Sequence, residues 1–297
     1  METLTDRGTF SVPLADGSSL ALGSRTLVMG IINATPDSFA GSVPDPDEAA
    51  EFALRMQEAG ADIIDIGGES TRPGAEAVSE ADELARVIPV IKRLAGRLRI
   101  PISIDTYKAG VARVALSSGA CIVNDISGLG YDHTLADVIA SSHAAVVLMH
   151  TRGRSCEMYR DAVYGDVVVE VAAELREAMD RAEASGISDD RIILDPGLGF
   201  AKRADDSLTL LAALPRLHAL GRPLLIGPSR KSFLTAAMGE APPQDRDWGT
   251  AAAVTAAILA GAHIVRVHDV GSMVQVARVA DAIRARVPGS DRIRSNV

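Results

Sequence analysis

Eight short apolar runs recur along the chain, and every one stops at a polar or glycine-rich corner. They cover residues 27–32, 63–66, 102–104, 121–123, 145–149, 192–194, 224–226 and 264–267. The corners are Asn33, Gly67-Gly68-Glu69, Asp105, Asn124-Asp125, His150, Asp195, Gly227-Pro228-Ser229-Arg230-Lys231 and His268-Asp269, with Arg266 inside the last run. Strands of a parallel sheet read as unbroken apolar runs because both faces are covered. Helical patterns separate the runs, so β and α alternate eight times. The pattern predicts an α/β chain forming a single (β/α)8 TIM barrel, whose active site sits at the C-terminal strand ends. The polar corners fall there.

The 297 residues exceed the ~250 typical of this barrel, leaving a surplus for termini and loops. Hydrophobic residues make up 47% and aromatics only 3%, so aliphatics must fill the interior. A net charge of −9 repels phosphate backbones and argues against a nucleic-acid partner; a local basic cluster for a small anion remains compatible with it. Cys121 and Cys156 are too few for a disulfide framework, and Cys121 reads as a small buried hydrophobe. The N-terminus lacks the basic start and apolar stretch of a signal peptide, and no run is long enough to span a bilayer. A cytoplasmic protein with no membrane partner is expected.

Residues 9–12 and 19–22 flank Asp16-Gly17, a turn signal that predicts an N-terminal β-hairpin plugging the lower barrel mouth. The expected organisation is a hairpin segment over 1–26, a barrel over 27–287 and a frayed tail over 288–297. Helices are expected from Asp47 to about 59, from Ser79 to about 98, and over 108–117, 166–185 and 272–287. The longest irregular stretch is 151–165, and 241–247 reads as a surface loop. Ala-rich 251–260 reads as a buried helix, with some of the nearby apolar surface covered between subunits.

The turn 227–232 joins an apolar run to a helix expected at 233–238. A helix N-terminus offers N–H groups and a positive dipole end to an anion, and Ser229, Arg230, Lys231 and Ser232 crowd donors there. Alone, the turn fits an ordinary solvated loop equally well. Arg266 and His268 add weight, because residues two apart on a strand share a face. A buried-strand Arg is costly unless it meets an anion or a π face. Asp105, Asn124 and Asp195 should converge in the mouth, where two acids and an amide suit a flat heterocycle with an amidine-like edge. Asp105 before Thr-Tyr-Lys also fits a helix N-cap. Asn33-Ala34-Thr35-Pro36-Asp37 reads as an Asx-Pro turn or as a ligand for a hard cation or phosphate. In the second corner, Thr71 and Arg72 add donors and the glycines permit close backbone approach to a ligand. None of the six histidines has metal-ligand spacing with another His or Cys.

Seven segments together resemble the dihydropteroate synthase family: 30–39, 65–74, 103–106, 123–128, 194–200, 229–232 and 266–269. The resemblance spans every corner from Asn33 to Asp269, the fifth more loosely. It implies condensation of a dihydropterin pyrophosphate with p-aminobenzoate, Mg2+ accompanying the leaving group, and a homodimer. It further implies that Asp105, Asn124, Ile126, Met149, Asp195, Gly227, Lys231 and Arg266 hold the pterin, with Asp105, Asn124, Asp195, Lys231, Arg266 and His268 central to catalysis. Pyrophosphate falls to Asn33, Thr71, Arg72, Arg266 and His268, and the metal to Asn33. The aminobenzoate pocket falls to Phe39, Thr71, Arg72, Pro73, Phe200, Ser229, Lys231 and Ser232. Three places depart from the family's usual pattern: a shortened first loop at 40–44, Thr151-Arg152-Gly153 at corner five, and Pro228. A methyltetrahydrofolate–corrinoid methyltransferase could share the Asp/Asn/Asp floor but has no use for a pyrophosphate site. A pterin-binding paralogue without condensation activity is the non-enzymatic alternative.

Overall fold

The computed structural model describes residues 7–35, 45–71, 74–154, 158–160 and 162–286. An antiparallel hairpin, β1 (Phe10–Pro13) with β2 (Ser19–Leu22), precedes the barrel. The eight apolar runs then form β3 (Leu27–Asn33), β4 (Ile63–Gly67), β5 (Ile102–Asp105), β6 (Ile122–Asp125), β7 (Ala145–Met149), β8 (Ile192–Asp195), β9 (Leu225–Ile226) and β10 (Ile264–Val267). They make one parallel sheet in the order β8-β7-β6-β5-β4-β3-β10-β9. β9 is only two residues long. A Leu194–Leu224 bridge, with Leu194 N donating to Pro223 O at 2.9 Å, links β8 to its approach and nearly closes the barrel.

Several strands extend one or two residues past their apolar runs. Asn33, Gly67, Asp105, Asn124, Asp125 and Asp195 are therefore strand ends held by the ladder. Outside lie α1 (Pro46–Glu58), α2 (Glu80–Leu94), α3 (Ala109–Ser117), α4 (Leu135–Ser142), α5 (Val167–Ala184), α6 (Ala204–Ala212), α7 (Thr235–Met238), α8 (Asp247–Leu259) and α9 (Val270–Arg284). Asp45, not Asp47, caps α1, accepting from Asp47 N, and Ser79 caps α2. α2 ends four residues before the expected limit, and α9 starts at Val270, capped by Asp269. α8 takes in Asp247 and buries one face, including Ala253, Val254, Ala257 and Ile258. The expected tail, 288–297, lies outside the described residues, as does Cys156.

Two apolar bodies sandwich the strands. Outward-facing Ile64, Ile66, Ile104, Val123, Val146, Leu148, Leu194 and Val265 pack against the helices. Inward-facing Met29, Ile63, Ile122, Val147, Ile193, Leu225 and Ile264 pack with Val12, Leu14, Leu20 and Leu22 of the hairpin. The hairpin thus fills the lower barrel. It is tied to the seam by His263, whose Nδ1 accepts from Leu224 N at 3.0 Å and whose Nε2 donates to Gly8 O at 3.0 Å. Burial pulls His263 down to about 3, so the ring is neutral. Cys121 is buried in the same layer, and burial pushes its thiol up to about 12. Leu22→Ala should cost roughly 2–4 kcal/mol in urea denaturation, through lost transfer energy plus an unfilled cavity, with no change in ligand binding at the opposite mouth.

Candidate active site

Two residues up each strand from the apolar interior layer, the polarity changes. Above Ile63, Ile122, Val147, Ile193, Leu225 and Ile264 stand Asp65, Asn124, Met149, Asp195, Gly227 and Arg266, because alternate residues share a face. Asp105 stands likewise above Ser103. Arg266 joins the ring: Nε donates to Asp65 Oδ2 and Nη2 to Asp105 Oδ2, each at 2.6 Å. Asn124 Nδ2 donates to the same Asp65 oxygen at 2.9 Å, and Asp65 Oδ1 is buried with no hydrogen-bond partner. The anion that Arg266 meets is thus supplied by the protein's own carboxylates. Gly227 leaves the space beside Arg266 and Asp195 open, since a Cβ there would lie 3.8 Å from Arg266 Cβ and 4.0 Å from Asp195 Oδ2.

Two carboxylates share this one guanidinium. Burial pushes the Asp105 carboxyl up, opposed by Arg266 and reinforced by the Asp65 charge. Burial would pull Arg266 down, but Asp65 and Asp105 hold it above its ordinary value. Asp195 accepts from Gly197 N at 2.8 Å; burial pushes it up to about 6, against that bond and the Lys231 and Arg266 charges. Apolar and aromatic side chains border the mouth: Ile126, Met149, Phe200, Tyr107, Met158 and Ala201 pack together.

The second face of the mouth carries His268, Ser229 and Lys231. His268 lies between Ser229, with Nδ1 2.8 Å from Oγ, and Asn33, with Nε2 3.5 Å from the amide nitrogen. Ser229 Oγ also accepts the His268 N–H at 3.1 Å, which locks turn to strand. Lys231 Nζ lies 3.6 Å from the centre of the Phe200 ring. Two expectations change here. Arg230 turns away from the mouth and pairs with Asp247 through two 2.8 Å bonds, so it is not an anion donor. Its outward course follows from a left-handed backbone, φ 58°. The expected helix at 233–238 begins as a 3-10 turn, Ser232–Leu234, with only four α-helical residues after it. A helix that short has little dipole, and the exposed Ser232 heads a tight turn instead.

The second corner is anchored from outside. Lys108 Nζ bonds both Glu69 and Glu83, Tyr107 Oη donates to Glu69 Oε1 at 2.9 Å, and Glu69 Oε2 accepts from Val78 N at 3.1 Å. Gly68 has a packing reason: a Cβ would come within 2.8 Å of Val87 and 2.9 Å of Glu83 on α2. Thr71 is half-buried beyond it. Phe39, Arg72 and Pro73 lie outside the described residues, and so does the shortened first loop.

Two features escaped the sequence reading. Asp65 is fully buried inside an apolar run, and an acid in that setting signals a cationic partner. The other is a chain behind Asp195: Lys202 Nζ lies 2.8 Å from His150 Nδ1, His150 Nε2 lies 2.9 Å from Glu174 Oε2, and Arg152 bonds Glu174 and Glu170. His150 and Arg152 sit at the divergent fifth corner, but nothing local marks Lys202.

The chain as a whole is similar to known proteins in sequence and in fold. The pattern of the family described as pterin binding enzyme matches residues 29–268. A dihydropteroate synthase of Synechocystis sp. is 49% identical over 277 residues, 92% of this chain and 96% of the relative. The Xanthomonas albilineans dihydropteroate synthase solved with 4-aminobenzoic acid is 43% identical, with a TM-score of 0.85 over 92% of this chain and 99% of that one. The same enzyme solved with 7,8-dihydropteroate is 41% identical, with a TM-score of 0.79 over 88% of this chain and 94% of that one. With the family pattern matched over residues 29–268 and 49% identity to a relative over 92% of its length, this chain belongs to the dihydropteroate synthase family.

Proposed function

We propose that this chain condenses 6-hydroxymethyl-7,8-dihydropterin pyrophosphate with p-aminobenzoate, giving 7,8-dihydropteroate and pyrophosphate in folate biosynthesis. The observation that carries the reading is the acid–amide–acid ring of Asp105, Asn124 and Asp195, together with a turn holding Ser229 and Lys231 and the His268 beyond β10 that Ser229 bonds. Asp195 accepts the paired N–H groups of the pterin's amidine edge. Asn124 and Asp105 take the rest of that edge, with Gly227 leaving room for the flat ring. The Arg266 guanidinium, held in plane by Asp65 and Asp105, and Met149 and Ile126 pack near its faces.

Leaving-group chemistry follows. His268, Lys231 and Arg266 neutralise charge that develops on the departing pyrophosphate. The pterin delocalises the positive charge left on its methylene, and the aryl amine attacks it. No protein nucleophile is needed. Phe200, Lys231, Ser229, Ser232 and Thr71 form the described part of the aminobenzoate pocket; Arg72, Pro73 and Phe39 are assigned to the rest of it, and Thr71 and Arg72 also to the pyrophosphate. Among the described residues no group of three or more His, Cys, Asp or Glu side chains suits a metal. Mg2+ needs only one or two protein ligands beside substrate phosphates, and the neutral amide oxygen of Asn33 fits that role. When bound, the ion would stabilise charge on the pyrophosphate oxygens.

We also read the enzyme as a cytoplasmic homodimer. Trp248 on α8 is 87% exposed, and Val279 and Ile283 on neighbouring α9 are exposed too. A two-fold contact would cover this apolar face. Light scattering should give twice the chain mass at micromolar concentration; a monomer mass would refute it. Among the described residues no helix is long and apolar enough to cross a membrane.

A coupled assay should detect pyrophosphate release only when both substrates are present. Asp195→Ala should weaken pterin binding by roughly 2–4 kcal/mol in calorimetry, since a charge-assisted pair is lost and ligand donors stay unmatched. In the wild type that binding should fall as pH drops below about 6, where the raised carboxyl takes up its proton and stops accepting both N–H groups. His268→Ala should weaken the pyrophosphate ester but hardly affect the unphosphorylated pterin; equal losses would move His268 out of the anion site.

A further inference from the structure

Lys202 is a buried cation that the proposed reaction leaves unused. It is 1% exposed, yet no carboxylate among the described residues bonds it. Its Nζ lies 2.8 Å from His150 Nδ1, 2.9 Å from Phe200 O, 3.1 Å from Gly197 O and 3.3 Å from His150 O. All four are acceptors. An ammonium has only donors, so His150 Nδ1 carries the lone pair and Nε2–H donates to Glu174. Burial holds His150 down at about 4, which keeps that ring neutral.

The peptides that Lys202 grips belong to the segment between the two substrate pockets. Gly197 O accepts from Lys202, while Gly197 N donates to Asp195 Oδ1. Gly197 has φ 68°, and a Cβ there would lie 2.0 Å from His150 O, so no other residue fits. Phe200 O accepts from Lys202, while the Phe200 ring faces Lys231. Ala201 follows in the left-handed region at φ 47°, its carbonyl held by Tyr164 Oη at 2.9 Å. One ammonium therefore pins both ends of a strained turn.

We infer that Lys202 is a positioning residue of the condensation, whose charged form holds Asp195 for the pterin and Phe200 for the aminobenzoate in one rigid segment. This rests on the assignments of Asp195 and Phe200 given above. A neutral amine would donate at most two hydrogen bonds and turn its own lone pair on a surrounding acceptor, so the segment loosens when the proton leaves. The charged groups around Lys202 are Asp195 on β8, Glu174 on α5, Arg152 after β7 and Asp206 on α6. Burial outweighs the acids and pulls Lys202 down to about 7, which puts its proton loss within the working range of an enzyme.

The test uses the full-length wild type, Lys202→Met and Glu174→Gln. Lys202→Met should weaken 6-hydroxymethyl-7,8-dihydropterin pyrophosphate in calorimetry and raise KM for p-aminobenzoate, each by roughly tenfold or more, since small misplacement of a bound group is costly. A folded variant with a lower melting temperature but both values unchanged would make Lys202 merely structural and overturn the inference. Glu174→Gln leaves Lys202 in place and changes a one-third exposed side chain that bonds His150. It removes one of the charges that favour the ammonium, so the alkaline fall in kcat/KM should move to lower pH. An unmoved alkaline limb overturns the inference even where Lys202→Met does not fold. A wild type that binds the pterin ester yet releases no pyrophosphate with p-aminobenzoate would refute the reaction instead, and the binding arm would still judge Lys202.

Discussion

A guanidinium clamped between two buried carboxylates organises the mouth of this barrel. Arg266 bonds Asp65 and Asp105 at 2.6 Å each, and Asn124 bonds the oxygen of Asp65 that Arg266 uses. Such a cluster is a poor source of stability, because desolvating the ions costs about as much as their attraction returns. Removing one member is another matter, since it strands a buried charge at a cost of roughly 3–5 kcal/mol. The cluster therefore fixes geometry more than it adds stability. The helix-packed strand faces desolvate it from the sides, and the hairpin-filled layer from below. Only the mouth is left for a ligand, and the ring presents acceptors and one flat cation there.

The sequence made the strands and corners legible for a simple reason. Parallel strands buried on both faces leave unbroken apolar runs, and the interior of a barrel can turn polar only where the strands end. Asp105, Asn124, Asp195 and Arg266 could thus be placed at one mouth, and the hairpin was visible from Asp16-Gly17. What stayed hidden depended on direction or long-range contact. Arg230 shares a turn with Ser229 and Lys231, but a positive φ sends it to Asp247. Gly68 resembles a ligand-approach glycine, yet α2 occupies the space its Cβ would need. α4 follows Asp132 and Thr134, residue types that favour a helix start, but Thr134 makes no side-chain cap bond and Asp132 instead accepts from Thr134 and Ala109. The short helix after Lys231 failed for a different reason, because a pattern too brief for a full α-helix settles as a 3-10 turn.

Behind the ring, the corners are held by charges one layer out. Lys108 links Glu69 to Glu83 and so ties the second corner to α2. Arg152 links Glu174 to Glu170, packs 4.1 Å from the centre of the Tyr164 ring and so braces the fifth corner against α5. The fifth corner is one of three places that the sequence reading set apart from the family's pattern, and these bonds give Arg152 a structural role there. Groups oriented by an outer set of bonds lose less freedom when a ligand arrives.

The electrostatics of the two halves of the site run in opposite directions for one cause. Burial pushes Asp195 up to about 6 and pulls Lys202 down to about 7, so each group drifts toward its neutral form. Gly197 joins them, donating its N–H to Asp195 and offering its carbonyl to Lys202. A proton lost from Lys202 would remove a positive charge that favours ionised Asp195 and free the peptide that orients it. Ionisation of Asp195 in turn favours the ammonium. The pair is therefore most ordered when both are charged, and an incoming cationic or N–H-rich edge reinforces that state. In the proposed reaction, which uses no protein nucleophile, holding this arrangement against the cost of burial stands beside neutralising the leaving group as the work of the barrel.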